Sequence, residues 1–263
     1  MIIKFYNKFI KFYNLILYVL IYRPNYKFDI FLNKQEKLFD KHNLNRKKAI
    51  EKLNFIKKGY PFVDNLMASE HQLIFSAISR NETYKIRKIL EIGTYDGINS
   101  FLLSQLFPSA KIETIDLDED DDKFKNFYNR PKNFVFNRDE ILKKSSNIFF
   151  FKKNSLNLIF DNNKYDLIWI DGAHGYPVVC IDIINSINLI NENGIILCDD
   201  IYSNKIKNAD EMFRSHASHE TLSALKKENI IDFDLFYKRL DSKNNSVEKS
   251  RKFVGIIKKN NFS

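Results

Sequence analysis

The sequence predicts an α/β fold in which a doubly wound, mostly parallel sheet carries helices on both faces. From residue 69 onward, short apolar segments alternate with amphipathic segments of helical length. The apolar segments are nearly continuous, as in strands that helices cover on both faces. Near the end of the chain, two apolar segments flank a polar stretch, which predicts a closing antiparallel pair.

The alternation assigns the elements in order. A helix that begins near Ser69 precedes the first strand, "GINSFLLSQLF" forms a helix after it, and Pro177 opens a helix before the fifth strand. The predicted strands are residues 88–92, 110–118, 147–155, 165–171 and 194–200, followed by the pair "DFDLFYKRL" and "RKFVGIIKK". The prediction therefore contains seven strands.

Bulk composition limits the class of protein. A chain of 263 residues with 44% apolar content can bury one substantial core and carry an appendage. Cys180 and Cys198 lie in apolar segments without the spacing of a metal site or a disulfide framework. We therefore expect reduced, buried cysteines and a cytoplasmic location.

The positive charge is concentrated at one end of the chain. Residues 1–60 contain 14 Lys/Arg and 4 Asp/Glu, whereas the remainder carries a net charge of −1. A nucleic-acid-binding domain would carry its basic surface on the domain that reads the ligand. We therefore expect no nucleic-acid partner, and biased composition is an alternative source of the lysines.

Residues 1–65 are predicted to be a basic helical N-terminal extension, and residues 66–263 the catalytic domain. Within residues 1–22, Lys4, Lys8 and Lys11 form one stripe of an amphipathic helix. Its uncharged run of residues 12–22 is shorter than the roughly 20 residues of a membrane-spanning helix. Peripheral contact with the inner membrane face, docking on the chain's own domain and docking on a second subunit all stay open. The oligomeric state is not predicted.

Polar residues follow all five parallel strands. In an open sheet, ligands bind beyond the carboxyl ends of the strands, at the point where the strand order reverses. The residues at these ends are Glu91 to Gly97, Asp116, Asn154 with Ser155, Asp171 to His174, and Asp199 with Asp200. We therefore expect one site that draws on several strand ends.

Gly93 and Gly97 indicate a tight turn over which a ligand lies on bare backbone. Their spacing is not the dinucleotide fingerprint, because Tyr95 stands where that motif needs glycine. Glu91 and Asp96 disfavour a phosphate and favour a cation. Asp116 is placed to bind ribose hydroxyls. Together these features predict a nucleoside that carries positive charge and no phosphate.

The chain resembles class I S-adenosylmethionine-dependent methyltransferases, in the small-molecule O-methyltransferase branch. The resemblance rests on the motif E-I-G-T-x-x-G after the first strand, an acid after the second, D-G-x-H after the fourth and D-D after the fifth. The resemblance covers about residues 69–258 and implies a Rossmann-like seven-stranded sheet with a reversed last strand. It implies S-adenosylmethionine as cofactor, with Asn154 where the family usually has Asp. The implied cofactor-binding residues are Glu91, Gly93, Thr94, Asp96, Gly97, Asp116, Asn154, Ser155, Asp171 and Gly172.

Metal-assisted relatives bind their ion through oxygens after strands four and five. The resemblance therefore implies Mg²⁺ bound by Asp171, Asp199 and Asp200, which are hard oxygen ligands. Ala173 stands where several sugar-modifying relatives have a second acid, and His174 could act as the base instead, which makes Asp171 and His174 the candidate catalytic residues. Alternatively, His174 bonds loop carbonyls or contacts the cofactor, and Asp199 and Asp200 cap a helix.

The leading functional prediction is transfer of a methyl group to a hydroxyl of a small molecule, such as a sugar or a glycan intermediate. A membrane-associated scaffold that retains the fold without turnover is the first alternative, because the second acid is missing at Ala173. A nucleic-acid methyltransferase is the second, and the near-neutral charge of the catalytic domain disfavours it.

Overall fold

A computed structural model describes residues 13, 16, 18–65, 69–127, 130–205, 209–210, 214–241 and 251–260. Their strands form one seven-stranded sheet with the order β3-β2-β1-β4-β5-β7-β6. Strands β1 to β5 are parallel, and β7 runs antiparallel to both of its neighbours. The strands are β1 (Lys88–Ile92), β2 (Lys111–Asp116), β3 (Ile148–Lys152), β4 (Tyr165–Ile170), β5 (Ile190–Ile201), β6 (Ile231–Tyr237) and β7 (Phe253–Lys259).

This sheet confirms the predicted Rossmann-like fold with a reversed last strand. The main difference is β5, which begins at Ile190, four residues before the predicted start. The pairing with β4 shifts between Tyr165 and Leu167, where the extra β5 residues bulge out of the ladder. Asn191 in this bulge donates a hydrogen bond to Asp166 at 2.6 Å, so the bulge is tied to the neighbouring strand.

Eight α-helices lie among the described residues. They are α1 (Phe28–Lys41), α2 (Arg46–Gly59), α3 (His71–Ile78), α4 (Ile98–Leu106), α5 (Asp122–Phe127), α6 (Phe134–Leu142), α7 (Val178–Leu189) and α8 (Ala217–Lys227). Helix α3 begins two residues after Ser69, whose hydroxyl bonds the His71 ring rather than a backbone N–H. Helix α7 begins directly after Pro177, as predicted.

The helices cover both faces of the sheet and bury two separate cores. Trp169 and Leu167 of β4 point into the core that helices α1 to α4 cover, whereas Ile168 and Ile170 point into the core beneath α7 and α8. Consecutive residues of a strand point to opposite faces, so a strand covered on both sides must be apolar throughout.

Helices α1 and α2 belong to the segment predicted as an N-terminal extension. Phe39 and Leu53 are buried in the same core as the sheet residues, and the Phe39 ring meets the Phe236 ring edge-on at 5.3 Å. The predicted boundary at residue 65 stays a prediction. The amphipathic segment of residues 1–22 lies largely outside the described residues. Among those that are described, Val19, Leu20 and Ile21 are exposed, and no described helix has the length and hydropathy to span a membrane.

Candidate active site

A cleft opens at the carboxyl ends of β1, β2 and β4, where the strand order reverses. It brings together six of the ten residues predicted to bind the cofactor. They are Gly93, Asp116, Asn154, Ser155, Asp171 and Gly172. The parallel register explains this convergence, because the ends of β3, β2, β1 and β4 lie side by side at one edge of the sheet.

Gly93 is required by the protein's own backbone at the floor of the cleft. Its φ is +102°, and a Cβ atom there would lie 2.3 Å from the carbonyl oxygen of Asp171. The loops after β1 and β4 approach this closely because the Asp171 N–H donates to the Ile92 carbonyl at 2.9 Å. Only glycine fits this position, which leaves bare backbone facing the cleft.

Asp116 presents its carboxylate at the same edge. One oxygen accepts a hydrogen bond from the Tyr95 N–H at 2.8 Å and the other from the Leu117 N–H at 2.8 Å. These bonds fix the orientation of the carboxylate and leave each oxygen able to accept another donor. Burial raises the pKa of Asp116 despite these two bonds. The carboxylate is therefore a prepared acceptor for a pair of hydroxyl groups.

Glu91 lies beneath the cleft and is not part of its lining. It is fully buried and accepts hydrogen bonds from Ser100, from the Thr114 hydroxyl at 2.7 Å and from the Asn99 amide at 2.7 Å. Burial raises its pKa to about 7 although these three bonds favour the carboxylate. Glu91 thus ties β1 to β2 and α4.

Three more of the predicted residues also lie outside the cleft lining. The Thr94 hydroxyl bonds the Thr114 hydroxyl at 2.7 Å, and Asp96 accepts from the Ile98 N–H at 3.0 Å at the start of α4. Gly97 has a φ of +77° and faces the Leu142 side chain of α6. The predicted cofactor contacts of these residues and of Glu91 stay predictions.

The sequence argument missed the wall of the cleft formed by helix α5 and the segment after it. Phe124 and Arg130 line this wall, and the Arg130 guanidinium lies 3.5 Å from the centre of the Phe124 ring. Lys123 and Lys153 line the cleft as well. The charge argument against a phosphate relied on Glu91 and Asp96, so the lining does not support it. The argument from glycine spacing is unaffected.

The three aspartates predicted to bind a metal lie at one edge of the sheet, but a lysine occupies the centre of the cluster. The Lys238 ammonium lies 2.5 Å from an oxygen of Asp199 and 2.5 Å from an oxygen of Asp200. Lys252 contacts the second oxygen of Asp200. Burial alone would raise the pKa of Asp199, but the attraction of Lys238, with smaller contributions from His71 and His174, holds this pKa well below its usual range.

The predicted Mg²⁺ site is therefore corrected. Among the described residues, no group of three His, Cys, Asp or Glu side chains is placed to hold a metal ion. Lys238 pairs with two of the three predicted ligands, so these residues do not fit the ion. Lys238 follows β6 and Lys252 precedes β7, and no local sequence signal brings either residue close to the end of β5.

His174 lies close to this cluster and is largely buried. Its Nε2 atom is 3.7 Å from Asp171 and 3.9 Å from Asp200, which is too far for hydrogen bonds and close enough for electrostatic interaction. Burial lowers the pKa of His174, and the attraction of Asp200 opposes this only in part. Asp171 alone belongs to both the cleft and the cluster.

A sheet of this order, with a glycine turn after β1 and an acid after β2 facing one cleft, defines a Rossmann-like methyltransferase fold. Residues 90–201 match the family model described as a methyltransferase domain. No curated protein matches the chain. The matched segment covers less than half of the chain, and the sheet order shows the methyltransferase fold.

Solved structures share the fold at low sequence identity. A candidate O-methyltransferase from Klebsiella pneumoniae has a TM-score of 0.56 and 15% identity, over 79% of this chain and 96% of that one. An O-methyltransferase from Bacillus cereus in complex with SAH has a TM-score of 0.53 and 13% identity, over 89% and 100%. An SAH-bound methyltransferase from Podospora anserina has a TM-score of 0.50 and 18% identity, over 81% and 88%.

Proposed function

We propose that this protein transfers a methyl group from S-adenosylmethionine to a hydroxyl of a small molecule. The observation that carries the proposal is the cleft, which combines the bare backbone of Gly93 with the fixed carboxylate of Asp116. The methionine portion fits a surface without side chains, and a carboxylate with free acceptor positions suits the two ribose hydroxyls. When bound, the cofactor supplies an electrophilic methyl group on a sulfonium.

The acceptor is proposed to bind where the cleft meets the charged cluster, because Asp171 belongs to both. An acceptor hydroxyl there must lose its proton as the methyl group is transferred. We assign His174 as the proton acceptor, since burial keeps its imidazole neutral near neutral pH. Asp200 would then stabilise the imidazolium that forms.

Titration calorimetry with S-adenosylmethionine and with NAD tests the cofactor. We expect binding of the sulfonium, weakened at least tenfold, or by about 1.4 kcal/mol, in D116N. The matched control is D120N, because the Asp120 side chain is 94% exposed. Tight binding of NAD without a response to S-adenosylmethionine would contradict the proposal.

Transfer of a labelled methyl group to pairs of acceptors tests whether the acceptor atom is a hydroxyl oxygen. A sugar or catechol should accept the methyl group, and its amino-substituted analogue should not. H174Q should lower kcat by 10²-fold or more, the usual contribution of a general base, with cofactor affinity unchanged. Equal labelling of both acceptors would reject the assignment to oxygen.

We further propose that residues 1–22 contact the surface of an anionic membrane. Support comes from the charge of residues 1–60 and from the exposed side chains of Val19, Leu20 and Ile21. Flotation with phosphatidylglycerol vesicles should carry the protein upward, and phosphatidylcholine vesicles should not. Replacement of Lys4, Lys8 and Lys11 by glutamine should abolish flotation, and unchanged flotation would argue against an electrostatic contact.

A further inference from the structure

We propose that Lys238 is a built-in cation that takes the position of a divalent metal ion between Asp199 and Asp200. It would hold both carboxylates beside His174, which makes it a positioning residue for the acceptor reaction. Its assignment to that reaction rests on the proposed function. The replacement of a metal ion by an ammonium rests on the contacts alone.

The backbone of β5 is bent so that two consecutive aspartates reach the same ammonium. Side chains of adjacent strand residues normally point to opposite faces of the sheet. Between Cys198 and Ile201, however, the pairing with β7 shifts register, and Asp200 has a φ of +52°. A bulge of this kind redirects a side chain, and a residue with a left-handed backbone conformation is held there by its surroundings. The constraint here brings Asp199 and Asp200 onto Lys238.

Hydrogen bonds fix the backbone of Lys238 on both sides of the residue. Its N–H donates to the Lys252 carbonyl at 2.9 Å, and its carbonyl accepts from the Glu70 N–H at 2.8 Å. The residue is 5% exposed, so the ammonium has little freedom to turn toward solvent. A lysine normally loses considerable side-chain entropy when it is fixed. Two short ion pairs, with Asp199 and Asp200, offset that loss and the cost of burying the ammonium here.

The charges of the cluster explain why an ammonium and a divalent ion exclude each other. Asp199 and Asp200 each give one oxygen to Lys238, and Lys252 contacts the remaining oxygen of Asp200. A metal ion bound by these carboxylates would lie within a few ångströms of the Lys238 ammonium and be repelled. With that ammonium removed, a cavity is left between two buried carboxylates, of which only Asp200 keeps an ion pair, with Lys252. Hard divalent cations bind such oxygen sets.

Electron paramagnetic resonance tests whether Lys238 replaces a metal ion. Binding of Mn²⁺ is measured as loss of the signal of the free ion, without cofactor or acceptor. Wild type should bind no Mn²⁺ at this cluster. K238A should bind one ion per chain, at least tenfold more tightly than wild type, and its unfolding temperature should rise with Mn²⁺. K238A/D199N, which lacks one carboxylate, should lose that binding. K226A should behave as wild type, because Lys226 forms an exposed ion pair with Asp232.

Two results overturn the proposal: wild type binding one ion as tightly as K238A, or folded K238A binding none. Should K238A be unfolded alone, refolding on addition of Mn²⁺ supports the replacement, and failure to refold overturns it. K238R, which keeps a cation, should stay folded and free of Mn²⁺. Because no methyl transfer is measured, these results are independent of the proposed function.

Discussion

At the scale of single residues, the chemistry of the cleft depends on positions that few side chains can occupy. Gly93 and Asp116 could be predicted from sequence because a strand end, a glycine and an acid are local signals, and parallel strands bring such ends together. Lys238 could not be predicted in this way. Its role depends on the order β5-β7-β6, in which the ends of β6 and β5 lie at the same edge of the sheet, on either side of the start of β7.

Replacement of Gly93 by alanine should destabilise the fold by about 3 kcal/mol or more. The added Cβ would lie 2.3 Å from a backbone carbonyl, and the residue has a positive φ that alanine rarely adopts. Urea denaturation measures the loss. Gly59→Ala is the control, because no atom lies within 4 Å of its Cβ position and a near-neutral change is expected. Equal stability of both variants would show that the β1 and β4 loops can separate.

Glu91 should make stability depend on pH. Its pKa is raised from 4.5 to about 7 in the folded protein, so between these values the unfolded chain loses its proton first. The free energy of unfolding should therefore fall as pH rises, by about 3 kcal/mol at 1.36 kcal/mol per pKa unit. Glu91→Gln cannot titrate and should lack this component. Chemical denaturation of both proteins from pH 4.5 to 7.5 measures this dependence. If the free energy of unfolding changes equally with pH in both, the pKa of Glu91 is not raised.

At the scale of elements, α1 supports the strand end that carries Lys238. Gln35 is fully buried, and its amide accepts from the Tyr237 N–H at 2.9 Å and donates to the Tyr237 carbonyl at 3.1 Å. The same amide donates to Glu70, which Arg46 of α2 binds through two hydrogen bonds. Both helices lie in the segment predicted as a helical extension. That prediction could not reveal a buried glutamine on them, because the partner lies about 200 residues away in sequence.

Gln35→Ala should cost about 3 kcal/mol of stability, since two buried backbone hydrogen bonds of Tyr237 are lost together. Asn33→Ala, an exposed change on the same helix, should stay within about 0.5 kcal/mol of wild type. Thermal unfolding measures both. If the two variants unfold at the same temperature, α1 does not hold the end of β6.

At the scale of the whole molecule, the sheet order and both cores follow from the apolar pattern. The distribution of charge does not follow from that pattern. The basic excess lies in residues 1–60, whereas the cleft combines cationic Arg130 and Lys153 with acidic Asp116. Net charge per segment was readable from sequence. The local balance in the cleft was not, because it depends on which side chains of α5 and the β3 loop turn inward.

Cofactor binding should stabilise the whole chain. A ligand that binds only the folded state adds about 2.7 kcal/mol at a concentration of 100 Kd. Thermal unfolding with S-adenosylmethionine should therefore shift upward, and D116N should shift less at the same concentration. An identical shift in both proteins would place the cofactor away from Asp116.

The contact between Gln35 and Tyr237 bears on how this chain can be shortened. The Gln35 amide bonds both backbone groups of Tyr237, as the backbone of an adjacent strand would do at the edge strand β6. A protein trimmed to begin at residue 66 would keep every residue of the cleft, yet it would lose both hydrogen bonds that Gln35 makes with Tyr237, the residue before Lys238. We therefore expect substitutions in the first quarter of the chain, far from the cleft, to lower the rate of methyl transfer without preventing cofactor binding.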